Sequence, residues 1–315
     1  MSQAAFHPDE LAAQAHAGVA PMRSGIRDLM PEQHRGFFAA LPYLLVAASD
    51  RAGWPLATLL EGEPGFVTSP DPGTLRIEVL PGATDPAARM IRCADDIGLL
   101  GVDFVTRRRN RANGIVSRVD ADGFTVAVKQ SFGNCPQYIQ RRAITRVEAL
   151  AGEARELASL DSDAFSLIER ADTFFVASRS RADAGPNGGA DISHRGGRPG
   201  FVRIEGDTLL IPDFRGNRYF NTLGNLIGEP RSSLLFLDFD TGDVLQLQGL
   251  ASVDWDAGAA GLVPGAERTW RFRIARGWFR PRAAATRGTF IEYSPVTLRT
   301  GAWAPRGSRA SAGTI

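Results

Sequence analysis

The sequence predicts a mainly β fold with flanking helices, in the α+β class, arranged as two tandem repeats. The chain has 315 residues, about twice the length of an ordinary domain. Short apolar runs separated by Gly, Pro, Asp or Asn recur along it, and this spacing favours an antiparallel barrel or sandwich over a βαβ architecture. Three segments of the first half also recur in the second half in the same order, which is typical of an internal duplication.

The first half begins with helical patterns and continues as predicted strands. Residues 1–30 predict a helical arm, either loosely attached or wrapped around a partner, and residues 31–40 predict a second helix. Tyr43–Ser49 and Trp54–Leu60 flank an Asp/Gly cluster and predict a β-hairpin. Further strands are predicted over Gly65–Thr68, Thr74–Val79, Ile97–Phe104, Ile115–Val119 and Phe124–Val128.

The middle of the chain interrupts this pattern. Residues 148–157 and 162–170 are rich in strong helix formers and predict a helical junction between the repeats. We divide the chain into a helical arm (1–30), a first repeat (31–145), a second repeat (146–300) and a flexible tail (301–315). Strands of the second repeat are predicted over Thr173–Ser178, Gly200–Ile204, Thr208–Ile211, Ser233–Phe239, Val244–Gln248 and Thr269–Ile274.

The duplication is visible in three pairs of segments, which keep the same order in both halves. Phe38–Ser49 resembles Phe165–Ser178, Pro64–Val67 recurs as Pro199–Val202, and Gly98–Phe104 recurs as Ser233–Phe239.

Composition excludes several classes of function. The formal net charge is +1, and the arginine run over residues 107–111 has no interleaved aromatic residues, so a nucleic-acid partner is not expected. Two cysteines, Cys93 and Cys135, are too few for a disulfide framework, and no histidine pair has metal-ligand spacing. We therefore expect no metal site. Residues 1–10 lack the pattern of a signal peptide and no apolar run reaches the length of a membrane span, which predicts a cytoplasmic protein without a membrane partner.

The most distinctive segment is Asp213–Asn225, an Arg/Asn/Gly-rich loop between a predicted strand and a predicted helix. Asn221 or Thr222 is the predicted N-cap of that helix, and a helix N-terminus favours anions through its free amides and dipole. Residues 194–198, predicted as a flexible loop, add two more arginines. The pattern predicts a phosphate site; the alternative is that the arginines only solvate the loops. The residues that we assign to the site are Arg195, Arg198, Arg215, Asn217, Arg218, Asn221, Thr222 and Asn225.

Three stretches of this half, Ser193–Val202, Ile211–Ile227 and Pro230–Leu237, are similar to the FMN-binding half of the pyridoxamine 5'-phosphate oxidase superfamily. The resemblance implies two tandem split β-barrels of the FMN-binding type. It also implies that the FMN phosphate is held by basic and hydroxyl residues of this strand–loop–helix unit. The corresponding stretch of the first repeat, Leu80–Arg89, has a single arginine and two prolines, so we expect one phosphate site.

The first repeat resembles a subgroup of the same superfamily whose members are sometimes fused to ferredoxin-reductase and ferredoxin modules. The segments concerned are Thr106–Gly114 and Ser131–Gln140. The resemblance implies a homodimer with the flavin at the subunit interface, or a single chain that forms both halves. Electrons would come from a separate reductase or from NAD(P)H. The candidates for the second wall of the site are residues 107–111, which include Arg109 and Arg111, then Asn113, and the turn over residues 134–136 with Asn134 and Cys135. The alternative is an exposed, arginine-rich hairpin with a buried structural thiol.

Three functional hypotheses remain open at the level of sequence. The first is an FMN-dependent oxidoreductase, in which the cofactor performs the chemistry and the protein positions it. The second is a flavin carrier or sensor without turnover. The third is a binder of deazaflavin F420 or of another phosphorylated ligand. No residue pattern assigns a catalytic acid, base or nucleophile, and the roles of Cys135 and His194 are left open.

Overall fold

The computed structural model describes residues 5–20, 22–256 and 263–304. Its helices are α1 (Pro8–His16), α2 (Glu32–Ala39), α3 (Ser162–Arg170) and α4 (Asn221–Gly228). The strands of the first half are β1 (Tyr43–Ser49), β2 (Pro55–Glu61), β3 (Val67–Thr68), β4 (Thr74–Ile77), β5 (Asp96–Asp103), β6 (Arg108–Asp120), β7 (Gly123–Gly133) and β8 (Arg141–Arg146). Those of the second half are β9 (Arg155–Leu157), β10 (Thr173–Arg179), β11 (Ala190–Gly196), β12 (Arg203–Glu205), β13 (Thr208–Phe214), β14 (Arg231–Leu237), β15 (Val244–Asp254), β16 (Ala266–Arg280) and β17 (Thr286–Glu292).

Two antiparallel sheets share one strand order. The first sheet runs β2-β1-β5-β6-β7-β4-β3, and the second runs β11-β10-β14-β15-β16-β13-β12. Each strand of the first sheet has its counterpart nine strands later in the second. The predicted mainly β class and the tandem duplication are both confirmed, and the hairpin predicted around the Asp/Gly cluster is the β1–β2 pair.

Strands β1 and β10 are buried on both faces. Leu44 and Val46 point into the core of the first barrel. The alternating residues Leu45 and Ala47 point into a third apolar cluster, which also contains Phe175 from β10. Successive side chains of a strand point to opposite sides. The sequence of a strand that lies between two apolar layers is therefore continuously apolar. The third cluster joins the two barrels, so the two barrels that pack together belong to the same chain.

The junction between the repeats differs from the prediction. Residues 147–154 form no helix, and Arg155–Leu157 form strand β9, which pairs with Gly277–Phe279 of β16. Leu157 is buried in the core of the second barrel. The helix propensity of this stretch is a weak preference, and burial of an apolar side chain by strand pairing outweighs it. The helices predicted over residues 31–40 and 162–170 are present as α2 and α3.

Some strands are longer than predicted and others were not predicted. Strand β6 begins at Arg108, seven residues before the predicted Ile115, because its arginines and asparagines pair along β5. Strands β8 and β17 form a separate two-stranded ribbon whose sequences are too polar to show an apolar alternation.

The first helix and the last described residues pack on the second barrel. Helix α1 lies against α4, where the Cα of Glu10 is in close contact with Gly224, so the N-terminal arm is not loosely attached over this helix. Near the other end, Trp303 Nε1 donates a hydrogen bond to the Phe201 carbonyl at 3.0 Å. The remainder of the predicted flexible tail, residues 305–315, lies outside the described residues. Within the described ranges, no helix is both long enough and apolar enough to cross a membrane.

Candidate functional site

A cleft opens between β6 of the first repeat and the strand–loop–helix unit of the second. Its cavity volume is about 100 Å³, and its mouth is open to solvent. Its lining residues are Arg109, Arg111, Asn134, Tyr138, Ser193, His194, Arg195, Gly196, Phe201, Pro212, Asp213, Phe214, Gly216, Asn217, Arg218, Phe220, Asn221, Thr222, Leu223, Glu267 and Arg268.

The cleft brings together many of the residues that the sequence singles out. From the first repeat these are Arg109 and Arg111, and from the second Arg195, Asn217, Arg218, Asn221 and Thr222. The barrels meet so that both groups face one space, because β6 lies beside β11. Arg111 of β6 donates from Nη2 to Ser193 of β11 at 2.5 Å and from Nη1 to Asp191 at 3.1 Å.

Five predicted residues do not line the cleft. Arg198 is exposed and donates to the Leu298 carbonyl, and the Arg215 side chain is also exposed. Asn113 and Asn225 are buried behind the cleft wall. Cys135 is half-buried and lies outside the cleft lining. Its carbonyl accepts a hydrogen bond from Arg109 Nε at 2.8 Å, which orients that guanidinium.

His194 and Arg195 lie in a strand and not in the predicted flexible loop. They belong to β11, where His194 pairs with Phe175 of β10. The glycines that suggested a loop begin only at the end of this strand. Burial lowers the pKa of His194 well below its ordinary value, and the nearby guanidinium of Arg109 lowers this pKa further. His194 is therefore neutral at neutral pH and adds no charge to the cleft.

The N-terminus of α4 faces the cleft. Its N-cap is Phe220, with φ 60° and ψ 25°, and not Asn221 or Thr222 as predicted. Phe220 provides no side-chain cap in the described structure. Asn221 and Thr222 instead occupy the first turn, where Thr222 Oγ1 lies 2.6 Å from Ser193 Oγ. Arg218 also has a positive φ, 63°. Two non-glycine residues in this costly conformation within three positions are typical of a functional loop.

The cleft contains more arginine than carboxylate. Arg195 and Arg268 both pair with Asp213, and Arg218 pairs with Glu267 at 3.2 Å. Two carboxylates thus pair with three guanidinium groups, which leaves one positive charge in excess. A fourth arginine of the lining, Arg111, is paired with Asp191 behind the wall.

Arg109 is the fifth arginine, and within the described residues no carboxylate pairs with it. Its Nη1 lies 3.1 Å from Nδ1 of His194, which is neutral. Burial lowers the pKa of the Arg109 guanidinium to about 9, and repulsion from Arg111 contributes next. A buried charge without a counter-charge is unfavourable. The cleft is therefore electrostatically suited to an anion.

Several buried donors around the cleft have no hydrogen-bond partner among the described residues. They are Arg111 Nε, Arg195 Nε, Arg218 Nε and Asn134 Nδ2. Buried polar groups in native proteins are almost always paired, and unpaired ones are unfavourable by about 1–3 kcal/mol each. Unpaired donors of one kind, together with an uncapped helix N-terminus, fit a ligand that bears a phosphate.

Some lining residues were not assigned to the site from the sequence. Among them, Tyr138 comes from the first repeat, and Glu267 and Arg268 lie at the start of β16. Asn134, a sequence candidate for the second wall, does line the cleft. The Tyr138 hydroxyl donates to the Arg215 carbonyl at 3.0 Å and its ring lies against Phe214. These residues are far from the Arg/Asn loop along the chain, and no local pattern indicates that they meet it. In the described ranges, no three His, Cys, Asp or Glu side chains are grouped to hold a metal ion.

Glu10 of α1 supports the cleft from behind. Asn221 Nδ2 donates to Glu10 Oε1 at 2.5 Å, and Asn221 Oδ1 accepts from Arg111 Nη1 at 3.2 Å. The backbone amide of His7 donates to the second oxygen of Glu10. Burial raises the pKa of the Glu10 carboxyl to about 8, so this carboxyl retains its proton at neutral pH.

Replacing Glu10 by glutamine is expected to flatten the pH dependence of unfolding. In the folded protein the Glu10 carboxyl has a pKa of about 8, whereas the ordinary pKa of a glutamate carboxyl is 4.5. The unfolded chain therefore binds fewer protons between these values, and the free energy of unfolding falls as the pH rises through this window. Urea unfolding at pH 5 and pH 8 measures the difference, which should be smaller in Glu10→Gln. The exposed Glu148→Gln control should keep the wild-type difference, and an unchanged difference in Glu10→Gln would contradict the prediction.

Comparison with solved structures gives matches that each cover about two fifths of the chain. No protein-family model matches the chain, and neither does any curated protein. Among solved structures, the chain is similar to a candidate pyridoxamine 5'-phosphate oxidase from Lactobacillus delbrueckii, at 13% identity and a TM-score of 0.30, covering 38% of this chain and 94% of that chain. It is also similar to an FAD-binding protein from Mesorhizobium loti, at 11% identity and a TM-score of 0.28, covering 41% and 97%.

A third similar structure is HutZ, a haem storage protein from Vibrio cholerae, at 13% identity and a TM-score of 0.26, covering 39% of this chain and 95% of that chain. One of these proteins is an FAD-binding protein and another stores haem, and similarity at this level says nothing about the ligand of this chain.

Proposed function

We propose that the chain is an FMN-binding flavoprotein and that it acts as an oxidoreductase. One observation supports the cofactor above all others: Arg109 is a half-buried cation without a carboxylate partner in the described structure, and it faces a cleft ringed by unpaired donors. A phosphate dianion supplies the missing negative charge and accepts from several donors at once. The resemblance of the strand–loop–helix segment to FMN-binding sequences supports the same ligand.

In this proposal the two repeats have different roles. Arg195 and Arg218 of the second repeat hold the phosphate together with the first turn of α4, and Arg109 and Arg111 of the first repeat hold it from the opposite wall. The aromatic side chains of the cleft, which include Tyr138 and Phe214, provide an apolar surface for the ring system and exclude water from it. Bound FMN supplies hydride or electron transfer, while the protein contributes binding and orientation.

The chain requires an electron donor and an acceptor in this role. We propose a separate reductase or NAD(P)H as the donor. The third apolar cluster gives one chain a paired-barrel arrangement, and we propose that two such chains associate as a homodimer. Analytical ultracentrifugation of the purified protein tests the homodimer: a sedimentation coefficient of a single 33.9 kDa chain at micromolar concentration would exclude it.

The first test is the visible absorption spectrum of the protein purified from cells, followed by release and identification of any chromophore. We expect a two-banded flavin spectrum and released FMN. A deazaflavin or haem spectrum would show that the protein binds that ligand instead of FMN. A colourless protein that takes up no added FMN would refute the proposal. Anaerobic addition of NADH, NADPH or dithionite then separates an enzyme from a carrier, because a flavin that none of them reduces is incompatible with the oxidoreductase role.

A further inference from the structure

The first repeat contains a counterpart of the cleft, which the shared strand order locates. Leu100 of β5 lies between β1 and Arg111 of β6. In the second sheet, Leu235 of β14 lies between β10 and Gln246 of β15. Gln246 therefore occupies, in the second repeat, the place of Arg111 in the first. By the same register Val244 is the counterpart of Arg109.

The hydroxyl beside the site is present in both repeats. Ser193 of β11 pairs with Val176 of β10, and Thr58 of β2 pairs with Val46 of β1, so Thr58 is the counterpart of Ser193. In the counterpart site, Val244 and Gln246 thus occupy the positions of Arg109 and Arg111, while the hydroxyl is present in both sites. One cation remains close by, since Arg280 Nη1 lies 3.3 Å from Gln246 Oε1.

A carboxylate lies in the middle of this counterpart site. Asp85 belongs to the loop between β4 and β5, which corresponds to the loop and helix α4 of the second repeat. It is 3% exposed. Its Oδ2 accepts from Thr58 Oγ1 at 2.5 Å and from Arg280 Nη1 at 2.7 Å, and its Oδ1 accepts from Gln246 Nε2 at 3.3 Å.

The comparison with Thr222 shows what Asp85 replaces. In the cleft, Ser193 contacts the Thr222 hydroxyl, and in the counterpart site Thr58 contacts the Asp85 carboxylate. The side chain next to the retained hydroxyl is therefore a neutral hydroxyl, Thr222, in the cleft and a carboxylate, Asp85, in the counterpart site. Arg280 Nε is buried without a partner in the described structure, which is the same kind of unpaired donor that surrounds the cleft.

We infer that the first repeat holds a degenerate anion site that the Asp85 carboxylate of the chain itself fills. The carboxylate takes the charge and the hydrogen-bond donors that a phosphate would use, so the chain binds one phosphate-bearing ligand and not two. This inference rests on the proposed function only in taking the cleft of the second repeat as a phosphate site.

The test is the number of inorganic phosphate ions bound per chain, measured by equilibrium dialysis with labelled phosphate. Wild type is expected to bind one. Asp85→Thr copies the oxygen ligand of the second repeat and removes the carboxylate, so it is expected to bind two. Adding Arg280→Gln to this variant removes the remaining cation and should return the number to one. Asp122→Thr, which makes the same charge change at an exposed turn, should leave the number at one.

Two phosphate ions on wild type, or one on a folded Asp85→Thr variant, would overturn the inference. If the threonine variant is unfolded, Asp85→Asn replaces it, because the amide oxygen still accepts from Thr58 while the charge is lost, and the same numbers apply. Failure of the proposed function gives a different result. In that case wild type binds no phosphate, Asp85→Thr binds one ion, and adding Arg280→Gln abolishes this binding. These results would show that the cleft is not a phosphate site, while the inference about Asp85 would hold.

Discussion

Arg218→Ala is expected to weaken FMN binding by roughly 10- to 100-fold, which corresponds to the loss of about 1.5–3 kcal/mol from one charge-assisted hydrogen bond. Arg218 lines the cleft and pairs with Glu267 at 3.2 Å. Its removal therefore deletes a cation and also leaves the Glu267 carboxylate facing the ligand with one partner fewer. Fluorescence titration of the apoprotein with FMN measures the effect.

Two further variants separate this explanation from a general loss of structure. Arg215→Ala removes an arginine three residues away whose side chain is exposed and outside the cleft, so it should bind FMN as wild type does. Adding Glu267→Gln to Arg218→Ala should recover part of the lost affinity, because it removes a carboxylate that faces the ligand and retains only Arg268 as a partner. Equal affinities for wild type and Arg218→Ala would rule out the proposed phosphate contact.

Arg109→Gln is expected to lower phosphate affinity by a similar factor, roughly 10- to 100-fold, and to change its dependence on pH. In wild type the Arg109 guanidinium has a pKa of about 9. Below this value it is charged, so phosphate affinity is constant once the dianion has formed above about pH 7. Above pH 9 the free protein loses the proton and the affinity falls. Arg109→Gln removes this titrating group and should bind weakly but equally at pH 8 and pH 10.

Isothermal titration with inorganic phosphate at pH 7, 8, 9 and 10 measures this profile without interference from ionisation of a flavin ring. Arg109→Lys is the matched control, since a lysine keeps the charge and loses the planar fork. It should bind more strongly than Arg109→Gln at pH 7. A wild-type affinity that stays constant up to pH 10, or a fall of equal size in Arg109→Gln, would show that Arg109 is not the group that titrates.

The sequence by itself determined the fold class, the duplication and the segment that forms most of one wall. Apolar alternation and Gly/Asp turns act over a few residues, so β1, β2 and β10 could be predicted from their own sequences. The Arg/Asn loop before α4 was visible for the same reason. Where a stretch has only weak local preferences, as in residues 148–157, the prediction of a helix was wrong, because pairing with β16 decided the outcome.

Only the tertiary structure decided which charges meet. Arg109 and Arg111 face Ser193 and His194 because the third apolar cluster fixes how the two barrels pack. The same packing brings Asp85 to Gln246, a contact between residues 161 positions apart in the sequence. The sequence does not show whether an arginine side chain is exposed to solvent, paired with a carboxylate or buried without a partner. Its surroundings are set by strands that are distant along the chain, so the proposed anion site follows from the packing of both repeats and not from either one alone.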